Sequence, residues 1–179
     1  MSMKKFILFS VFGVLALFAI GLSVACNQDV VGHEDNPVNT LIVPENPPKN
    51  FSVTGCKSSR TRDEAETRGM YDELIEYEAR ENSLLRITHT NTIFNCAVLQ
   101  IYAEMTVNDH LYIIEEKSQE GTVSANCICP YDLGYDIGPL KEGDEYTVSI
   151  RRGKDEDSEV AKFIFTYSST VKGQITREK

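Results

Sequence analysis

The stretch Leu140-Lys141-Glu142-Gly143-Asp144-Glu145-Tyr146-Thr147-Val148-Ser149-Ile150 passes from a turn into a strand. Its first part is polar and carries a glycine, the composition of a chain reversal. From Tyr146 onward apolar and small polar residues alternate, so Tyr146, Val148 and Ile150 share one face. The same period continues downstream, where Ala161, Phe163, Phe165 and Tyr167 fall on one side and Lys162, Ile164 and Thr166 on the other. Residues 152–158 between these two strands are polar and suit a hairpin loop. Upstream, residues 51–56, 84–90, 94–103, 111–116 and 122–129 read as further strands, punctuated by Asn108-Asp109 and Glu120-Gly121. In residues 62–82, Ala, Glu and Arg favour helix. Residues 73–80 nevertheless alternate, with Ile75, Tyr77 and Ala79 together, so the reading here is a loop-like start followed by a strand. Many short strands with little helix predict an all-β sandwich or barrel.

The opening stretch resembles the L-x-x-G-x-x-Y-x-V-x-V segment of fibronectin type III and related immunoglobulin-like domains. The resemblance covers residues 140–167. It implies that Leu140 is the core residue before the corner, Gly143 its turn, and Tyr146 a corner tyrosine whose hydroxyl bonds back to the backbone. The fold it implies is an immunoglobulin-like antiparallel β-sandwich, although the chain has no Trp, which those domains usually bury.

The amino terminus reads MSMKKFILFSVFGVLALFAIGLSVAC. Lys4 and Lys5 precede an uncharged apolar run and then small residues, the layout of a secretory signal over residues 1–25. Ser23-Val24-Ala25-Cys26 resembles the lipobox of bacterial lipoproteins, which implies acylation of Cys26 and a lipid anchor in the bacterial outer membrane, facing the cell surface or the periplasm. The whole layout is similar to the small surface lipoproteins of anaerobic gut bacteria, a family defined by location more than by activity. Residues 26–50 carry Pro37, Pro44, Pro47 and Pro48 among Asn, Asp and Glu, and read as an acylated start and flexible tether. The tether is expected to lift the domain clear of the bilayer, the alternative being that Leu41-Ile42-Val43 forms a first strand or lies along the domain. Residues 51–172 are the expected sandwich and 173–179 a tail. Without residues 1–25 the chain has 16 basic against 27 acidic residues, a net charge of −11. That sign is wrong for a phosphate backbone, so nucleic acid is excluded as a partner.

Of five cysteines, Cys26 is assigned to lipid, which leaves Cys56, Cys96, Cys127 and Cys129. An even number in an exported protein predicts a disulfide framework. Cys127 and Cys129 are i and i+2 on a strand, about 6.6 Å apart with parallel side chains, a poor geometry for bridging each other. Each is therefore expected to reach Cys56 or Cys96, as 56–127/96–129 or 56–129/96–127. Their place in the apolar stripe with Val123 and Ala125 makes them structural, and Pro130 is expected to close their strand.

Motifs of catalysis are missing. There is no G-x-S-x-G elbow and no H-E-x-x-H helix. His33, His89 and His110 lack partners at metal-ligand spacing, so no metal or cofactor is expected. His89, in Arg86-Ile87-Thr88-His89-Thr90, reads as an ordinary strand histidine, and Asp155-Glu156-Asp157 as a charged loop tip. Tyr131 and Tyr135, after the cysteines, are the expected surface contacts, because tyrosine offers a large amphipathic side chain. The expected function is a non-enzymatic module displayed on a lipid anchor, binding a protein or a glycan. The alternative is an exported enzyme or enzyme inhibitor with its site in the loops. A deep pocket holding His89 or His110 beside carboxylates would sink the binding-module reading, whereas a shallow surface with exposed tyrosines would count against the enzyme reading.

Overall fold

A computed structural model describes residues 40–61, 71–122, 125–152 and 158–176. The signal region, Cys26, most of the tether, residues 62–70, Val123 and Asp155-Glu156-Asp157 lie outside the described residues. Those described form ten strands: β1 (Lys49–Val53), β2 (Arg60–Thr61), β3 (Leu74–Arg80), β4 (Leu84–Asn95), β5 (Val98–Asn108), β6 (Leu111–Glu120), β7 (Cys127–Ile137), β8 (Glu145–Arg152), β9 (Glu159–Thr166) and β10 (Lys172–Thr176). One sheet runs β1-β7-β4-β3-β10, with β2 also on β7, and the other runs β5-β6-β8-β9. The two pack face to face as a disulfide-stapled β-sandwich around a single core.

Alternation places the core as the sequence predicts. Val148 and Ile150 are fully buried, each contributing about 1.5–3 kcal/mol. Tyr77 stacks on Phe163 at 4.9 Å, and Tyr146 packs against Phe165 at 5.9 Å. The corner forms as the resemblance implies. The Lys141 N–H donates to Tyr146 Oη at 2.9 Å, Leu140 is buried, and Gly143 takes φ +84°, where a side chain would be strained. The hairpin that follows is closed by Arg152 N–H on the Ser158 carbonyl at 3.0 Å.

Several boundaries differ from the sequence reading. The strand with the cysteines runs forward from Cys127 to Ile137, so Pro130 is inside it and not at its end. Pro130 is tolerated because N–H and C=O of one strand residue point to the same flank. Its carbonyl accepts from Lys57 N–H at 3.1 Å, so its missing donor also faces the irregular segment between β1 and β2 and not β4. Gly134 serves a close approach. A Cβ there would collide with the Arg86 guanidinium, which lies across β7 toward Ser52 and Asp136.

The tail is also shorter than expected. Lys172–Thr176 pairs with Leu74 to Glu78 of β3 as an edge strand. Its Lys-Gly-Gln-Ile-Thr offers too little alternation to be read alone. At the other end, residues 40–46 run along β5 and β6, and Met105 N–H donates to the Asn46 carbonyl at 2.8 Å, covering part of an open sheet edge.

Finally, the sandwich is not wholly antiparallel: β6 and β8 pair in parallel. Between them the chain crosses to the opposite sheet as β7 and returns. One intervening strand restores the original direction.

Both disulfides end on β7. Cys56 joins Cys129 and Cys96 joins Cys127, each with Cα atoms 5.6 Å apart. The first ties the β1–β2 connection to β7, and the second ties the β4–β5 crossing to it. With sequence separations of 73 and 31, each contributes about 4 kcal/mol on the loop-entropy view.

Candidate functional site

Most of the charge buried in the sandwich sits at one end of its interior. Glu73 precedes β3, His89 is on β4, Glu116 on β6 and Arg152 closes β8. All four are in phase with inward residues of these strands, Ile75, Ile87, Ile114 and Ile150 respectively. His89 and Glu116 are wholly buried and Glu73 is 7% exposed. The cluster bridges the two sheets.

Its hydrogen bonds define its protonation. His89 Nδ1 lies 2.8 and 3.0 Å from the two Glu116 oxygens, and Nε2 lies 3.1 Å from Glu73 Oε2. An ionised carboxylate only accepts, so each ring nitrogen must donate. His89 is therefore an imidazolium. Burial works against that charge, but the Glu116 charge and the hydrogen bonds to Glu116 and Glu73 outweigh it, and His89 titrates above its ordinary 6.5. Arg152 donates to Glu73 as a fork, Nη1 at 3.2 Å and Nη2 at 2.7 Å, while Nη2 stands 3.8 Å from Glu116. Burial pushes the Glu73 carboxyl up, but hydrogen bonds from His89 and Arg152 and their charges hold it down at about 2. Tyr135 Oη donates to Glu116 Oε1 at 3.1 Å, and burial then keeps its phenol well above the ordinary range.

Two carboxylates, one imidazolium and one guanidinium sum to zero charge. That balance lets ions exist in a low-dielectric interior, where any one left alone would cost several kcal/mol. Both ring nitrogens of His89 are engaged by the two carboxylates, and the ring is wholly buried. Within the cluster, Arg152 Nε has no hydrogen-bond partner among the described residues, and its guanidinium carbon sits 5.7 Å from the Phe94 ring centre. Also among the described residues, no group of three or more His, Cys, Asp or Glu is arranged to hold a metal ion.

The tyrosines expected at the surface are not there. Tyr135 is fully buried beneath this cluster, and Tyr131 is 7% exposed, edge-on to Phe94 at 6.1 Å. The reason is that β7 is an interior strand with β4 on one flank and β1 and β2 on the other, so its odd-numbered residues point into the sandwich. His110 is on the surface, 3.8 Å from both Asp109 and Asp144 and tilted on Tyr146 at 4.7 Å. It is far along β8 from Arg152 and takes no part in the cluster. Glu73, Glu116 and Arg152 were not singled out from the sequence. Their signal is parity, since each continues an apolar stripe with a charge.

The outer surface offers shallow hollows. One, of about 450 Å³, lies over β10, β3 and β4 and is lined by Glu76, Glu78, Arg86, Thr88, Lys172 and Gln174. Arg86 is anchored there by Asp136 at 3.3 Å and the Asn50 carbonyl at 2.9 Å. Compared with known proteins, the chain matches no protein-family model, no curated protein and no solved structure.

Proposed function

We propose that this chain is an exported bacterial lipoprotein, acylated on Cys26 and held at the outer membrane, whose sandwich is a non-enzymatic binding or accessory module for a protein or a glycan. The observation that carries it is the order of features in residues 1–26: two lysines, an apolar run, small residues and then a cysteine. Two or three acyl chains hold a protein durably on a bilayer. The interior charges support the binding role by their use: every ionised group in the cluster neutralises another. The hollow over β3, β4 and β10 supports it as well, because its mixed donors and acceptors suit hydroxyl or amide groups of a partner.

Radiolabelled palmitate tests the anchor. Label should enter the wild-type chain and be lost in Cys26→Ala, whereas label that survives the substitution overturns the assignment. Affinity capture from intact cells then tests the binding role, with Lys172→Glu and Thr88→Arg placed in the hollow. Loss of the captured partner in these variants, with folding intact, is the expected result. Turnover of a substrate by the purified wild-type chain would overturn the non-enzymatic reading.

A further inference from the structure

Residues 40–46 are held on the sandwich by their backbone. Gln119 on β6 accepts from Ile42 N–H through Oε1 at 3.2 Å and donates through Nε2 to the Thr40 carbonyl at 3.1 Å. Gln100, its cross-strand partner on β5, donates to the Ile42 carbonyl at 3.0 Å. Two side-chain amides thus do what a neighbouring strand would do and hold this segment by its backbone. The apolar side chains are left outside: Leu41 is 56%, Ile42 37% and Val43 88% exposed. Leu99, bulged from β5 between Val98 and Gln100, is exposed as well. A fixed run of exposed apolar residues is unfavourable in water and marks a contact surface.

The position in the chain bears on what it meets. Thr40 follows Cys26 by 14 residues, a reach of at most about 50 Å. Residues 40–48 contain Glu45 and no Lys or Arg, so the contact is apolar and does not depend on anionic lipid. We propose that Leu41, Ile42 and Val43 form a membrane-contact edge, entering the boundary between headgroups and acyl chains of the bilayer that holds Cys26. The sandwich then rests with the β5 edge toward the lipid and the β9 edge away from it. This inference rests on the Cys26 anchor.

The chain has no Trp, so a single introduced Trp reports from one place. Val43→Trp is compared with Ile164→Trp, a position 60% exposed on β9 at the opposite edge of the same sheet. Each full mature lipoprotein is reconstituted in phosphatidylcholine vesicles containing brominated acyl chains, and its mass is measured to establish acylation. Blue-shifted and quenched emission from Trp at 43, with unquenched emission from Trp at 164, is the expected result. Acylated protein in which neither position, or both equally, is quenched overturns the contact edge and leaves the anchor standing. Blue-shifted but unquenched emission at 43 assigns the surface to a second copy and overturns the lipid. A mature chain without acyl groups overturns the anchor and the inference together.

Discussion

Replacing Glu116 with Gln keeps the shape of the side chain and removes its charge. In the native cluster this carboxylate receives His89 Nδ1 at 2.8 Å and Tyr135 Oη at 3.1 Å, with Arg152 at 3.8 Å. Without its charge, Glu73 would face two buried cations, and the interior regains neutrality only if His89 gives up a proton. Removing one partner of a buried pair costs about 3–5 kcal/mol. The pH dependence carries the sharper signature. His89 titrates above 6.5 in the folded wild type, so its contribution is fully present below pH 6.5 and is lost as pH rises through the folded value. The wild type therefore loses at most about 1.4 kcal/mol per pH unit over that window. In Glu116→Gln the folded histidine is neutral, and that slope disappears. The deficit of the variant is then largest near pH 5.5 and shrinks toward pH 9. Urea unfolding with disulfides intact, at pH 5.5, 7 and 9, measures it. A deficit below about 1 kcal/mol at pH 5.5, or one that is the same at all three values, would refute the charged state assigned to His89.

Two further outcomes are expected. Tyr146→Phe removes the acceptor of the Lys141 N–H while leaving the ring against Phe165, so denaturant unfolding should show a loss of about 1 kcal/mol with little change in m. Gly138→Ala places a methyl at φ +118° and 2.8 Å from the Ser83 carbonyl oxygen, a contact with backbone that cannot swing away, and should lower stability by about 1–3 kcal/mol. A neutral result in the same assay would mean that the 81–83 turn moves freely.

Reading by alternation succeeded where one face is apolar and the other polar. The strands at β3, β8 and β9 were legible for that reason, as was the corner at Leu140, Gly143 and Tyr146. Where both faces are buried, alternation fails. β7 was cut short at Pro130, which cannot donate a ladder hydrogen bond, yet the strand runs on through Gly134, which makes room for Arg86, and Asp136, which Arg86 and Asn50 cover. The same misreading put Tyr131 and Tyr135 on the surface. The site was visible only as an oddity of phase. Glu116 follows Tyr112 and Ile114 on their face, and Arg152 follows Val148 and Ile150, but a single strand cannot say whether such a charge ends a stripe at the rim or meets its opposite inside.

The chain alone determined its class of fold, the use of its four downstream cysteines as two bridges that each take one of Cys127 and Cys129, and the turn at Gly143. These depend on neighbours in sequence: side-chain period, glycine conformation and the reach of residues i and i+2. The tertiary structure decided which cysteine meets which, the parallel pairing of β6 with β8, and the meeting of Glu73, His89, Glu116 and Arg152. Each of these depends on which sheet a strand joins, and two pairings with similar loop lengths differ little in chain entropy. Only the packing of β7 between β4 and the β1–β2 connection distinguishes them, because it brings Cys129 to Cys56 and Cys127 to Cys96. The same packing sets opposite charges from two sheets within hydrogen-bonding distance, where each makes the burial of the others tolerable.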